Sequence, residues 1–328
     1  MLLNQLKQVL KGSRFERPAR AVWQVINGRR YNQQDREVIF RPQTHLHPDL
    51  PTGMSEEDLR SVFLSFSLDN GPVGQLDPYV HDAFYRFLHS WNLVRGESGR
   101  CLELGSNPYF ITWLIRQHSE LEMTLANYFG GEEGRGSQTI TWGLNDERIS
   151  ADLEFDHFNS EESRFPYEDS CFDVVIYCEI IEHLLMNPVH TLKEIRRVMR
   201  PGGLLLVTTP NVARFGNILA MAEGRSIYDP YSGFGPYGRH NREYSMPELL
   251  NLLEFCGFSH ERSFTADAHL EDWSHHPSFE DACRIASRRP HHLGQYLFAT
   301  VRATGTPKNG FPGSLFRSYD DHLIDLSR

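Results

Sequence analysis

Between about Arg100 and Val301, short apolar runs alternate with segments of helical period, and this constrains the fold more than any other feature. Cys101-Leu-Glu-Leu is a short strand that runs into Gly105, and 109–118 is helical in pattern. A second strand is expected at 122–128 and a third near 151–155. Phe172-Asp-Val-Val-Ile-Tyr-Cys178 is apolar enough to be covered on both faces. Asn187-Pro188 offers an N-cap followed by proline at the first helical position. Val189, Leu192, Ile195 and Val198 then share one face. Pro201-Gly-Gly203 breaks that helix, and 204–209 is the next buried strand. Ser245-Met-Pro-Glu248 is a capping box opening a helix over 249–256, which Gly257 closes. A last strand is expected at 295–301. Strands alternating with helices predict an α/β fold, a largely parallel sheet with helices on both faces.

The chain of 328 residues, 40% hydrophobic, is long enough for one full core and a smaller extension. Leu2, Leu3, Leu6, Val9 and Leu10 share a helical face that Gly12 ends, and 78–91 reads as an aromatic-rich amphipathic helix. Three parts are expected: an N-terminal helical or cap segment over 1–98, the α/β domain over 99–304, and a tail over 305–328. The net charge of −10 disfavours nucleic acid as the main partner. Residues 1–30 oppose the trend, with seven basic residues against Glu16 alone. They could seat this segment on an anionic membrane as a peripheral contact; the plainer expectation is a helix packed on the domain. Five cysteines with no C-x-x-C spacing argue against a disulfide framework and for a reducing, cytoplasmic setting. Neither a membrane-length apolar run nor a signal peptide is expected.

A glycine turn at the carboxyl edge of such a sheet is the expected ligand crevice. Gly105 can take backbone conformations closed to other residues and lets a ligand approach closely. Glu103, just before the strand end, is placed to pair with a cationic amino group. Two phosphate-binding alternatives fail on residues. A dinucleotide fingerprint needs G-x-G-x-x-G, but Asn107 and Phe110 stand at its second and third glycines. Gly131-Glu-Glu-Gly-Arg-Gly-Ser137 has no lysine and is acidic.

The run from Phe165 through Cys178-Glu-Ile-Ile-Glu-His183, then Leu192 through Pro201-Gly-Gly203 to Asn211, together with Glu103-Leu-Gly105, closely resembles the class I S-adenosylmethionine-dependent methyltransferases over about 99–260. The resemblance implies an enzyme with a Rossmann-like seven-stranded mixed sheet, strand 7 antiparallel, and S-adenosyl-L-methionine as cofactor. It places Glu103, Gly105, Ser106 and Asn107 at the methionine moiety. It places Asn127 at the ribose, where the family usually carries a carboxylate, Glu161 at the adenine amine, and Cys178 and Glu179 beside the sulfonium.

Methyl transfer asks the protein for alignment and sometimes a base. His183 and His240 are the candidate bases. Residues 228–244 interleave aromatics with glycine and proline, which suits a wall of the acceptor pocket. Gly238-Arg-His-Asn-Arg-Glu-Tyr244 resembles a phrase in bacterial methyltransferases of polysaccharide and glycolipid assembly. That implies O-methylation of a sugar, glycan or small-molecule hydroxyl, with Tyr237, Arg239, Arg242 and Tyr244 holding the acceptor. A phenolic acceptor and a non-catalytic binding role are the alternatives. No metal site is expected: the pairs His45/His47, His275/His276 and His291/His292 lie in loops with no i, i+4 partner.

Overall fold

Every second side chain of a strand points to the same face, so a strand apolar at every position needs cover on both sides. The computed structural model, which describes residues 47–69, 71, 74, 76–144 and 147–325, supplies that cover. Strands β1 (Ser67–Leu68), β2 (Ser98–Leu104), β3 (Glu120–Asn127), β4 (Gly134–Leu144), β5 (Glu147–His157), β6 (Phe172–Cys178), β7 (Met199–Pro210), β8 (Ser259–Ala266) and β9 (Tyr296–Arg302) form one sheet, in the order β1-β4-β5-β3-β2-β6-β7-β9-β8. The pairs β5–β3, β3–β2, β2–β6 and β6–β7 are parallel. Strand β9 runs antiparallel to both β7 and β8, as expected of the seventh strand.

The sheet has nine strands where seven were expected. The additions lie at one edge: β4 folds back on β5 as an antiparallel hairpin, and β1 pairs antiparallel with β4. Gly136 lets the hairpin close, because a Cβ there would lie 2.5 Å from Cζ of Phe155.

Alternate residues of β6 and β7 feed two cores. Val174, Ile176, Leu204 and Leu206 join helices α1 (Glu56–Leu64), α2 (Leu76–Val94) and α3 (Phe110–His118). Aromatic rings dominate this side; Phe63 lies 5.0 Å from Phe110 and 5.8 Å from Trp113 between centroids. Val175, Tyr177, Leu205 and Val207 join α4 (Pro188–Val198) and α6 (Met246–Phe255) on the other face. Each fully buried aliphatic or aromatic side chain contributes about 2 kcal/mol. The remaining helices, α5 (Phe215–Ala222) and α7 (Phe279–Ala286), pack on each other.

The local signals act where expected. Asn187 Oδ1 accepts the Val189 N–H at 2.9 Å, a cap worth about 1 kcal/mol. Ser245 and Glu248 form the reciprocal capping box of α6. Helix α4 ends at Val198, ahead of Pro201-Gly-Gly203, and β7 begins at once. Within 305–328, β10 (Phe311–Pro312) pairs with β11 (Ile324–Asp325), and Phe311, Leu315 and Phe316 pack against the second core. Among the described residues no helix is long and apolar enough to cross a membrane. The expected helix at 1–11, the basic segment 1–30 and His45 lie outside the described residues.

Candidate functional site

The chain leaves β2 through Gly105, whose φ of +66° is left-handed; a Cβ there would sit 2.1 Å from Cδ1 of Ile180. Asn127, at the end of β3, holds this turn. Its Oδ1 accepts from Asn107 N at 2.9 Å and Ser106 Oγ at 3.2 Å, and its Nδ2 donates to the Tyr109 hydroxyl at 3.2 Å. Tyr109 itself has φ +72°, a conformation that costs about 1–2 kcal/mol. Its buried hydroxyl offsets the cost by donating to Gln138 Oε1 at 2.7 Å, which also accepts from Asn107 Nδ2 at 2.9 Å. Gln138 lies on β4, so the added hairpin steadies the glycine turn.

A cavity of about 250 Å³ opens over this turn, between the carboxyl ends of β2, β3 and β6. Gly105, Asn107, Asn127, Cys178, Glu179, His183 and Tyr237 line it together. A second space of about 30 Å³ shares Gly105, Asn107 and Cys178 with it and reaches Glu103 and Ser106. Glu103 is buried, and Thr112 Oγ1 donates to its Oε2 at 2.5 Å. Burial raises the Glu103 carboxyl to about 8, with only partial relief from that hydrogen bond. Burial also pushes the Cys178 thiol up to about 12.

Glu179 takes φ +55°, which turns its side chain under the cleft. Thr208 Oγ1 donates to it at 2.8 Å, and Arg86 Nη1 approaches to 3.7 Å. Arg86 comes from α2, is buried, and donates to the Tyr79 hydroxyl at 2.6 Å. Glu182 is buried beside Glu179. Both carboxyls are raised, chiefly by desolvation; the Glu179 charge adds to the shift at Glu182, and Arg86 opposes both shifts. The floor of the cleft is therefore short of positive charge.

Glu161 stands behind the cavity wall, where it also reaches Tyr237. Its two oxygens accept three backbone N–H groups, from Leu185 at 3.0 Å, Met186 at 2.5 Å and Asn187 at 2.8 Å, which anchors the entry to α4. The wall expected near Glu161 comes instead from Phe158, Asn159 and Ser160. Asn159 donates to the Tyr237 hydroxyl at 3.0 Å and closes the far side.

The two candidate bases meet, with His183 and His240 ring centroids 5.0 Å apart. Asn241 and Arg242 donate backbone N–H groups to the Glu182 carbonyl at 2.7 and 3.1 Å, and Asn241 Nδ2 donates to the His183 carbonyl at 2.9 Å. These bonds fasten the later loop to the turn after β6. Burial, and then the proximity of His240, lower the pKa of His183 and keep its imidazole neutral at pH 7. Of the acceptor-side candidates, Tyr237 lines the cavity. Arg239 sits 4.8 Å over the Tyr231 ring, Arg242 donates to Glu248 at 2.8 Å, and Tyr244 is buried in the second core. Tyr228, Tyr231 and Phe234 project into solvent.

Tyr79, Arg86, Gln138, Asn159 and Glu182 were not singled out from sequence. Only Arg86 carries a local signal, a charge on the apolar face of α2 among Ala83, Phe84, Phe87 and Leu88. Of the adjacent histidine pairs, His276 Nδ1 lies 3.1 Å from a Glu223 oxygen, and the His291 and His292 rings meet edge to face at 5.1 Å.

Residues 141–207 match the family model described as a methyltransferase domain. A probable S-adenosylmethionine-dependent methyltransferase of Mycolicibacterium smegmatis is 37% identical over 99 residues, which cover 30% of this chain and 33% of that protein. One from Mycobacterium tuberculosis is 35% identical over 96 residues, covering 29% and 30%. The chain thus spans about a third of the length of the curated relatives it matches. Among solved structures, a 1,6-didemethyltoxoflavin-N1-methyltransferase of Burkholderia thailandensis, with bound 1,6-didemethyltoxoflavin and S-adenosylhomocysteine, superposes with a TM-score of 0.43 at 15% identity, covering 81% of this chain and 95% of that one. Residues 141–207 are thus similar to a methyltransferase domain, and the strand order around them is that of a Rossmann-like α/β sheet.

Proposed function

We propose that the protein transfers a methyl group from S-adenosylmethionine to a hydroxyl oxygen of a sugar, glycan or related small molecule. The observation that carries the reading is the pairing of the Gly105 turn with a carboxyl-rich floor. Glu103 is buried and Glu179 largely so next to the cavity, with Arg86 as the near cation of Glu179 and Arg116 that of Glu103, so an entering cation further relieves the cost of their charge. When bound, the cofactor supplies a methyl group on a positively charged sulfur.

The chain's own residues do the rest. The backbone at 105–107 receives the methionine portion, with Glu103 opposite the amino group. Asn127 uses its amide chiefly to hold the turn, so a ribose there receives at most one neutral hydrogen bond from it, weaker than the bond a carboxylate makes. Phe158, Asn159 and Ser160 offer the wall for the base. Cys178 and Glu179 stand where β6 ends, next to His183. A neutral His183 suits acceptance of the hydroxyl proton. Tyr228 and Phe234, exposed on the loop that carries the cavity-lining Tyr237, suit a sugar-like acceptor, since apolar sugar faces stack on aromatic surfaces.

Calorimetry with S-adenosylmethionine and S-adenosylhomocysteine, followed by transfer of labelled methyl to nucleotide sugars, lipid-linked sugars, glycans and phenols, tests the proposal. Binding of both cofactor forms and a labelled sugar product are expected. Failure of both to bind sinks the enzymatic reading. Binding without product from any acceptor favours a non-catalytic role, and a phenol-only product overturns the sugar.

A further inference from the structure

Glu182 is fully buried, yet its carboxyl group is only half satisfied. Thr209 Oγ1 donates to Oε2 at 2.9 Å, while Oε1 has no hydrogen-bond partner. An orphaned buried carboxylate oxygen is costly and calls for an explanation. His183 Nε2 lies 3.9 Å from Oε1. His240 completes the group: one ligand atom from each of Glu182, His183 and His240 lies within 4.8 Å of the others.

The surroundings of the two imidazoles set their tautomers. His183 Nδ1 donates to the Arg239 carbonyl at 2.9 Å, and His240 Nδ1 donates to the Glu243 carboxylate at 3.1 Å. Glu243 is in turn paired with Arg214. With Nδ1 so engaged, Nε2 of each neutral imidazole is the nitrogen that offers a lone pair, and a carbonyl or carboxylate behind a histidine is the usual support of a metal-bound imidazole. The backbone bonds from Asn241 and Arg242 to the Glu182 carbonyl hold both halves of the group in place.

We propose that Glu182, His183 and His240 bind one divalent transition-metal ion at the edge of the cofactor cleft, and that this ion takes the acceptor hydroxyl oxygen as a further ligand. The proposal rests on the methyl-transfer reading above. Two imidazoles and one carboxylate favour zinc, manganese or a similar first-row ion over magnesium or calcium. Bonds of about 2.0–2.2 Å place tetrahedral ligands roughly 3.4 Å apart. The observed spacing needs a contraction of about 1 Å per pair, which side-chain torsions supply. His183 lines the cavity, which places the group at its edge.

Bound there, the cation lowers the pKa of the acceptor hydroxyl. The proton leaves to solvent, the oxygen–carbon bond forms as the carbon–sulfur bond breaks, and the sulfur departs as a neutral thioether. Nothing is oxidised or reduced. His183 then serves as a ligand and not as the proton acceptor.

The test uses the full chain stripped with a chelator. Zinc, manganese and, for contrast, magnesium are titrated by calorimetry, and cobalt(II) binding is followed by visible absorption. Cofactor binding is measured on the same sample, and circular dichroism checks that each variant is folded. One zinc or manganese ion per chain is expected, with magnesium at least roughly tenfold weaker. Glu182→Gln and His240→Gln should each weaken zinc at least roughly a hundredfold, Glu243→Gln about tenfold, and His276→Gln not at all. No zinc, manganese or cobalt binding by a protein that still binds S-adenosylmethionine overturns the metal site and leaves the methyl-transfer reading standing. Metal binding indifferent to Glu182→Gln and His240→Gln also overturns it. Loss of cofactor binding in the unmodified protein counts against the methyl-transfer reading itself.

Discussion

Glu103 offers a direct measurement of how strongly the cleft beside Gly105 is built against charge. Its carboxyl titrates near 8 in the folded chain against an ordinary value of 4.5, with burial as the main cause. Between those limits the folded protein keeps a proton that the unfolded chain has released. Stability is therefore fully present below pH 4.5 and is lost as pH rises through about 8. Each pH unit of that interval is worth about 1.4 kcal/mol, so ionising Glu103 in place costs about 5 kcal/mol, a ceiling because water in the adjoining cavity screens the charge. Glu103→Gln removes the titration while keeping the shape and the acceptor for Thr112. Urea unfolding at closely spaced pH values should show variant and unmodified protein converging near pH 4.5. The variant should gain about 1 kcal/mol per pH unit up to 8 and level off above. Cofactor affinity should move the other way, because the variant cannot answer a cationic amino group. In the unmodified protein near pH 7, binding should release a proton, read as a dependence of the calorimetric heat on the ionisation enthalpy of the buffer. Parallel stability curves for the two proteins across pH 5–9 would falsify the reasoning.

Arg86→Met leaves Glu179 and Glu182 without their buried cation; a loss of about 3–5 kcal/mol in unfolding free energy at pH 8 is expected, shrinking toward pH 5 as the carboxyls take up protons. Gly105→Ala meets both the left-handed backbone and Cδ1 of Ile180, so a loss of about 1–3 kcal/mol is expected from thermal unfolding. Adding Ile180→Ala should recover the steric part alone, making the double mutant less unstable than the sum of the single effects.

What could be read from the chain beforehand was what is encoded by neighbours in sequence. The Asn187-Pro188 cap, the Ser245 to Glu248 box, the apolar β6 and the glycine after β2 each act within a few residues, and each stands where expected. The β4–β5 hairpin was missed because 134–144 is polar and glycine-bearing; its partner strand and the Ser67–Leu68 edge, not its own composition, make it a strand. The backbone bonds of Glu161 were hidden for a related reason. Its spacing from β6 places it near the cleft, but three backbone N–H groups at the entry to α4 claim its oxygens first. The meeting of His183 and His240 is likewise invisible to a search of adjacent histidines, since Asn241 and Arg242 create it by bonding to the Glu182 carbonyl.

The reach of Arg86 bears on how such a domain can be exchanged between proteins. A copy cut just ahead of β2 would keep every strand beside the glycine turn, and by sequence it would look whole. It would lack the cation beneath Glu179 and the Tyr79 wall of the cleft, and it would leave bare the aromatic face that α1 and α2 cover. The smallest portable unit of this cleft therefore begins no later than α2. A graft that respects only the α/β alternation would carry the binding turn without the electrostatic ground on which it stands.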